Sequence, residues 1–395
     1  MNKITLLFFS LICLSLNAQN QLLSSVQQIS DGSGGFENVY GYNYEYDSSD
    51  NLIQETALRW ESSTASWIPE YQDTYEYNAN RRATLLISQV YNSTSGTFVN
   101  DYRDIYTYNS KGDLVEIRSE EFVNGSYQNE FRLTASYSNN RLTSFIEYVW
   151  DGSQWVAEDR AFINYNTNGS ISNLVGETLV NGVWQTDYRD TLTYNNSNQL
   201  VRKIFENWNG SSYDLDEEFD YTYDNNGNLT IEVTDFDFTE SGPSNRETYI
   251  YDTNVLMSNI ANPFRDKTGT EYLFEDFPYV NKILEQRYQD YDSSTMSYED
   301  VSSKTVYDYN STLGVESPEA LASTINVYPN PTTGLLNIES TNFEIARVDV
   351  YSVLGSKVLS SNNQNVDLSN VTAGVYFVQI ANKEGQLSNH KIVKN

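Results

Sequence analysis

"YDNNGNL" (Tyr223–Leu229) returns in altered spelling along the chain, as "YDSSDNL" from Tyr46 and "YNSKGDL" from Tyr108. With the second tyrosine of each Tyr-x-Tyr pair as anchor, the series is Tyr46, Tyr77, Tyr108, Tyr137, Tyr165, Tyr194, Tyr223, Tyr251, Tyr279 and Tyr309, in steps of 28 to 31 residues. A period of this size marks a repeat architecture, in which each unit buries its faces against its neighbours. Asp or Asn follows most anchors, then a polar or Gly-containing cluster, then an apolar residue: Leu52, Leu114, Leu142, Ile171, Leu200 or Leu229. Asn, Asp and Gly tolerate the positive φ of a tight hairpin. The heptad is therefore a strand end, a turn and a strand start.

A second punctuation falls about 14 residues after the anchor, where large side chains flank a loop: Trp60 and Trp67, Tyr91 and Phe98, Phe122 and Tyr127, Trp150 and Trp155, Leu179 and Trp184, Trp208 and Tyr213. The loops between them include "VNGS", "DGSQ", "VNGV" and "NGSS". Each unit thus reads as two antiparallel strands of roughly 10 residues, about 33 Å long. The fold expected is all-β: a long antiparallel meander of about nine ~29-residue hairpins, as a twisted sheet or curled shell, with a small β-sandwich after it.

Strict alternation puts Tyr188, Asp190, Leu192 and Tyr194 on one face, and likewise Trp155, Ala157, Asp159, Ala161, Ile163 and Tyr165. The opposite face carries a row five residues before the anchor: Arg103, Arg132, Arg160, Arg189, Arg246 and Lys304. Glu120, Glu147, Glu177 and Glu206 stand at matching depth, and a structural ladder is preferred to a ligand-binding row, each exposed pair contributing no more than about 1 kcal/mol. In the next strand Leu114, Glu116, Arg118, Glu120 and Phe122 share one face, and Val115, Ile117, Ser119 and Glu121 the other. Neither is the uniformly apolar band of a lipid-facing barrel. Aromatic and apolar residues are expected inside and charges outside.

The chain ends carry addresses. Met1–Ala18, with Lys3 and the apolar run Leu6–Leu16, reads as a secretory signal peptide cut before Gln19. Cys13, the only cysteine, lies inside it, and Ser10-Leu11-Ile12 before it makes a poor lipobox. No other stretch approaches the roughly 18 apolar residues of a spanning helix, so the mature chain is expected to be secreted or surface-attached. From Ile325 the chain reads "INVYPNPTTGLLNI", "VDVYSVLGSKV", "VDLSNVTAGVYFVQI" and "HKIVKN". These short runs, separated by Gly, Asn and Pro, are those of the terminal sandwich. Tyr328, Pro329, Asn330, Pro331, Gly334, Gly355, Gly374, Tyr376 and Lys391 closely resemble the type A C-terminal sorting domain of the Bacteroidetes type IX secretion system. That resemblance implies recognition by the type IX translocon and cleavage by a sortase-like protease. The expected domains are 1–18 signal peptide, 19–309 repeat region, 310–324 linker and 325–395 sorting domain.

The formal net charge of −30 belongs to the rest of the chain, since residues 325–395 hold 5 Lys/Arg against 5 Asp/Glu. Such a polyanion repels nucleic acid and anionic lipid. The "YDNNGNL" motif also resembles the YD repeat of RHS-type surface proteins, which implies a strand-turn-strand unit recurring along a β-sheet shell.

Catalytic means are sparse. The sole histidine is His390, inside the sorting tag, so only carboxylates and tyrosines are available in the repeat region. In "YDLDEEFDYTYD", alternation sets Asp214, Asp216, Glu218 and Asp220 on one face, where they can bind Ca²⁺ or form a solvated edge. No other cofactor is expected. Trp60, Trp67, Trp150, Trp155, Trp184 and Trp208 sit beside hairpin loops, either stacking on sugar or protein or clamping adjacent hairpins. The function expected is a non-catalytic module that binds extracellular glycan or protein. A structural surface-layer role and a carboxylate-dependent polysaccharide hydrolase are the alternatives.

Overall fold

The computed structural model describes residues 21–236, 238, 241–265, 268, 279–314, 325–340, 345–352, 357–382 and 387–395. The signal peptide, Gly355 and residues 315–324 of the linker lie outside them. The chain divides into two compact units, one built from the repeat region and the other including Gly314–Asn395.

In the first unit the described residues form one 19-stranded sheet. Strand follows strand as expected, from Phe36–Tyr46 through Leu52–Glu61 to Asn281–Asp292. Ser297–Tyr298 is a two-residue spur on the strand Asn281–Asp292. The ends then meet. Ser24–Ser30 pairs with Phe36–Tyr46 on one side and with Ser303–Asp308 on the other, and Ser303–Asp308 also pairs with Asn281–Asp292. The sheet therefore closes into a barrel, and closure leaves no long edge open to another chain. Ser24–Ser30 precedes the first anchor, so the strand that completes the ring lies outside the repeat pattern.

The anchors connect the units. The hydroxyl of Tyr165 donates to the Leu142 carbonyl (2.8 Å), Tyr223 to Leu200 (2.8 Å), Tyr251 to Leu229 (2.7 Å), Tyr77 to Leu52 (2.7 Å) and Tyr108 to Ala83 (2.6 Å). Tyr46 reaches Leu22 (2.8 Å) and Tyr309 reaches Ile283 (2.7 Å) by the same bond. Each acceptor is the apolar residue that opens the return strand of the preceding unit, or its counterpart at the ends of the series. The turn between anchor and apolar residue is held by Asx hydrogen bonds: Asp224 Oδ1 accepts from the Asn226 and Asn228 amides, and Asp47 Oδ1 from those of Ser49 and Asn51. Four residues past the anchor the backbone turns left-handed, at Asp50, Arg81, Gly112, Gly169, Asn198 and Gly227. Asn, Asp and Gly tolerate that conformation, which is why the heptad uses them. Leucines and tyrosines of this face form two clusters, one from Leu142 to Leu229, the other joining Leu22, Tyr44 and Leu52 to Met257, Ile260, Ile283 and Tyr309.

Two β-bulges recur along the meander. One lies seven residues before the anchor, at Asp101, Glu130, Glu158, Asp187 and Asp216. The other follows the turn's apolar residue, at Val115, Ser172, Val201 and Thr230. A bulge adds one residue to one strand, so the faces exchange across it. Strict alternation is therefore corrected at three places. Leu114 opposes Tyr108 while Glu116 opposes Thr107, so these two lie on opposite faces. Asp159 opposes Glu147 while Ala157 opposes Tyr148, which moves Ala157 and Trp155 off the Tyr165 face and onto the arginine face. Leu215 opposes Glu206 while Glu217 opposes Phe205, which parts Asp214 from Glu218 and Asp220.

The second unit holds two sheets around one core, as expected. Ile325–Tyr328, Leu335–Ser340 and Asn365–Asp367 form one; Lys357–Ser361, Ile345–Ser352, Gly374–Asn382 and Leu387–Lys394 form the other. Leu336, Ile338 and Val366 of the first pack with Val348, Val350, Val378, Ile380 and Ile392 of the second.

Removing one anchor hydroxyl tests the inter-unit bond. Tyr165→Phe is expected to cost about 1 kcal/mol in urea unfolding, the usual net contribution of one intramolecular hydrogen bond. An unchanged midpoint would contradict the role given to that bond.

Candidate functional site

The arginine face carries a ladder of ion pairs. Arg103 Nε donates to Glu120 Oε2 at 2.6 Å, Arg160 to Glu177 at 2.6 Å and Arg189 to Glu206 at 2.8 Å. The same guanidiniums reach one strand further and lie over aromatic rings: Arg103 over Tyr127 at 4.1 Å, Arg160 over Trp184 at 4.3 Å and Arg189 over Tyr213 at 4.2 Å. Each arginine thus links three successive strands through a carboxylate and a π-face. The pairing of Glu147 with Arg132 fails. Arg132 takes Glu116 instead, at 2.8 Å, and lies over the Tyr148 ring at 5.6 Å. The turn after Tyr137 is one residue shorter than its neighbours, so Tyr148 occupies the ladder position and Glu147 faces the other way, opposite Asp159.

The hairpin aromatics share this face. Trp150 and Trp155 meet edge-to-face with centroids 5.2 Å apart, Trp208 and Tyr213 at 5.0 Å, Phe122 and Tyr127 at 4.9 Å, and Tyr91 and Phe98 at 5.3 Å. Trp184 stands opposite Leu179 in the sheet. Trp60 and Trp67 are both half-buried beside their loop. Clamping across the hairpin is thus a role of Trp150, Trp155 and Trp208, and Trp208 still keeps 36% of its surface exposed.

The four acids proposed for Ca²⁺ are dispersed. Asp214 accepts from Asn209 Nδ2 at 2.9 Å, Asp216 is the bulged residue, and Glu218 pairs with Arg202 at 2.6 Å, with Asp220 3.9 Å from the same guanidinium. Among the described residues no group of three or more acidic, histidine or cysteine side chains is gathered to hold a metal. The bulge at Asp216 accounts for the failed alternation.

The tyrosine face carries carboxylates among its rings. Burial holds the Asp104 carboxyl above the usual range, although Ser119 Oγ donates to it at 2.6 Å. Burial, and after it the neighbouring Asp159 and Glu158, raises Glu147. At the turn end a cavity of about 440 Å³ is lined by residues of five successive units, from Arg82 to Asn198. Units that follow one another around a ring can share one cavity on the concave side, so the tyrosine face looks inward. Arg82 and Arg141 stand in that cavity beside Tyr137, Tyr165 and Tyr194. Both arginines fall just before the turn's apolar residue, Ala83 and Leu142, a spacing that reads in sequence as ordinary turn polarity.

In the second unit the Tyr328-Pro329-Asn330-Pro331 segment fastens the chain end. Asn330 Nδ2 donates to the Lys391 carbonyl and Asn330 Oδ1 accepts from the Val393 amide, each at 2.9 Å. The Gly334 carbonyl accepts from the Leu368 amide at 2.7 Å, and a Cβ there would come within 2.7 Å of Ser369 Oγ. Tyr376 Oη donates to the Thr372 carbonyl at 2.9 Å, two residues before Gly374 opens its strand.

Residues 326–395 match the family described as the secretion system C-terminal sorting domain. The C-terminal segment is therefore a type IX sorting domain, which implies interaction with that secretion machinery and export to the cell surface or the extracellular space. Residues 16–85 match a family of unknown function, DUF3836. No curated protein matches the chain. Among solved structures, a protein of unknown function from Bacteroides fragilis is 15% identical, with TM-score 0.29 over 31% of this chain and 91% of its own. A DUF3836 family protein from Bacteroides vulgatus is 21% identical, with TM-score 0.21 over 23% and 89%. A porin-like protein from Bacteroides uniformis is 12% identical, with TM-score 0.35 over 74% and 98%. These likenesses carry no argument about function.

The raised carboxyls set a pH dependence. A group whose pKa is higher folded than unfolded binds more protons in the native state, so its stabilising contribution is lost as pH rises through the folded value. Asp104 and Glu147 should therefore lower the thermal midpoint as pH rises above the ordinary carboxylate range. Asp104→Asn should raise the midpoint at pH 8 and flatten the profile. A steeper profile in the variant would contradict the assignment.

Proposed function

We propose that the repeat barrel is a non-catalytic module that binds extracellular glycan or protein, carried outward by its sorting domain. The observation that supports this is the belt of aromatic pairs along the arginine face. The rings are held by edge-to-face contacts and the arginine ladder, so little side-chain freedom remains to be lost on binding. Tyrosine and tryptophan in that setting offer apolar faces to sugar C–H groups and polar edges to water. The strongly anionic surface disfavours nucleic acid as a partner.

The full chain on a broad array of polysaccharides, with and without calcium, tests this. Saturable binding is expected, weakened tenfold or more by Trp155→Ala or Trp208→Ala, under conditions where circular dichroism shows each variant still folded. Binding indifferent to both substitutions would remove the belt from the site. A blank array with self-association of the chain would favour the structural role.

A further inference from the structure

We propose that Asn124 and Asn181 are sites of self-modification, where the following glycine nitrogen displaces the side-chain amide and leaves aspartate or isoaspartate. The inference stands independently of what the barrel binds. Asn-Gly occurs five times in the repeat region, at Asn124, Asn168, Asn181, Asn209 and Asn226. Asparagine is chemically labile, and a glycine after it, lacking Cβ, offers the least steric resistance to ring closure. All five share that local chemistry. The fold separates them.

Two groups must be free at once. The asparagine side chain has to bring its carbonyl carbon, Cγ, onto the next main-chain nitrogen, and that N–H has to give up its proton. At three sites one or both are held. Asn168 Oδ1 accepts from the Ser170 amide at 3.1 Å, its Nδ2 donates to Asn198 at 2.9 Å, and the Gly169 N–H donates to the Asn166 carbonyl at 3.0 Å. Asn209 Oδ1 accepts from the Ser211 and Ser212 amides at 2.9 and 3.0 Å, while its Nδ2 donates to Asp214. At Asn226 the Gly227 N–H donates to the Asp224 carbonyl at 3.1 Å.

Asn124 and Asn181 stand instead at the tips of two-residue hairpin loops, closed by the pairs Val123–Ser126 and Val180–Val183. Asn124 has φ +52° and Gly125 +86°, Asn181 +51° and Gly182 +79°. Positive φ at both central residues is the primed turn of a tight hairpin, which leaves the glycine N–H outside the ladder. All four residues are exposed, and among the described residues neither side chain nor either glycine amide has a hydrogen-bond partner. The turn must open about Asn124 for Cγ to reach the nitrogen, and the tip of a hairpin is where such opening costs least.

The Gly125 nitrogen, deprotonated by hydroxide, attacks Asn124 Cγ. The N–Cγ bond forms, the Cγ–Nδ2 bond breaks and ammonia leaves, closing a succinimide. Water then opens the ring. Cleavage at Cγ restores the ordinary main chain with aspartate, and cleavage at the main-chain carbonyl carbon routes the chain through the side chain as isoaspartate. One water is taken up and one ammonia released, with no change of oxidation state. Either product adds a negative charge. Isoaspartate also adds a methylene to a loop without slack, beside the Phe122–Tyr127 pair at one tip and beside Leu179 and Trp184 at the other.

The full chain incubated at pH 8 in isotopically labelled water, then digested and mapped by mass spectrometry, is the test. Asn124 and Asn181 should lose the amide nitrogen and gain one labelled oxygen at least tenfold faster than Asn168, Asn209 and Asn226, and more slowly at pH 6. In urea the five rates should converge, which assigns the ordering to the fold. Asn124→Gln and Asn181→Gln together should abolish the early charge heterogeneity on ion exchange, with circular dichroism showing the variant still folded. No conversion at the two sites, equal conversion at all five in the folded chain, or the same ordering in urea would each overturn the proposal.

Discussion

A tyrosine hydroxyl reaching back to a main-chain carbonyl is the contact on which the repeat unit depends. A hairpin alone has one neighbour in sequence and little core, so a meander of hairpins needs something beyond ladder hydrogen bonds to fix how each unit sits on the last. The bond from Tyr223 to Leu200, repeated at Tyr77, Tyr108, Tyr165 and Tyr251, does this at the turn end, where the acceptor opens the preceding return strand. Tyr46 and Tyr309 carry it across the closure, to Leu22 and Ile283.

The opposite face is joined by different chemistry at a different height. Arginine, glutamate and aromatic ring alternate over successive strands, so units are tied by hydrogen-bonded tyrosines inside and by charge and π-contacts outside. The bulges allow both. By exchanging faces seven residues before the anchor, they place the loop-side aromatics of Trp155, Trp184 and Tyr213 on the same side as the arginines. Without them those rings would turn to the concave side. The acidic residues at the bulges, Asp101, Glu130, Glu158, Asp187 and Asp216, are all exposed, which suits an unpaired position.

Much of this was legible from residues alone. The period, both turns, the pairing of consecutive strands and the salt bridges of Arg103, Arg160 and Arg189 follow from anchor spacing and parity. The sorting domain follows from its motif. What alternation misses is the bulge, because an extra residue inside a strand leaves no local mark when Glu158 or Asp216 looks like any other exposed acid. That one omission misplaces Trp155 and assembles a carboxylate cluster around Asp216 that the fold disperses. The error at Glu147 has another origin, a turn shortened by one residue after Tyr137. Closure was invisible because Ser24–Ser30 carries none of the repeat's signals. The cavity around Arg141 was invisible because it gathers residues from five units, each unremarkable in its own.

The sheet closes on itself through its first described strand, Ser24–Ser30. Val26 and Val306 stand opposite each other across that junction. With Cys13, the only native cysteine, replaced by serine, the double variant Val26→Cys/Val306→Cys reports on it directly. Closure predicts that mild oxidation forms an intramolecular disulfide in the folded chain, seen as a faster-migrating monomer that reverts on reduction. A folded chain whose two cysteines stay free, or link only between molecules, would contradict the closed barrel.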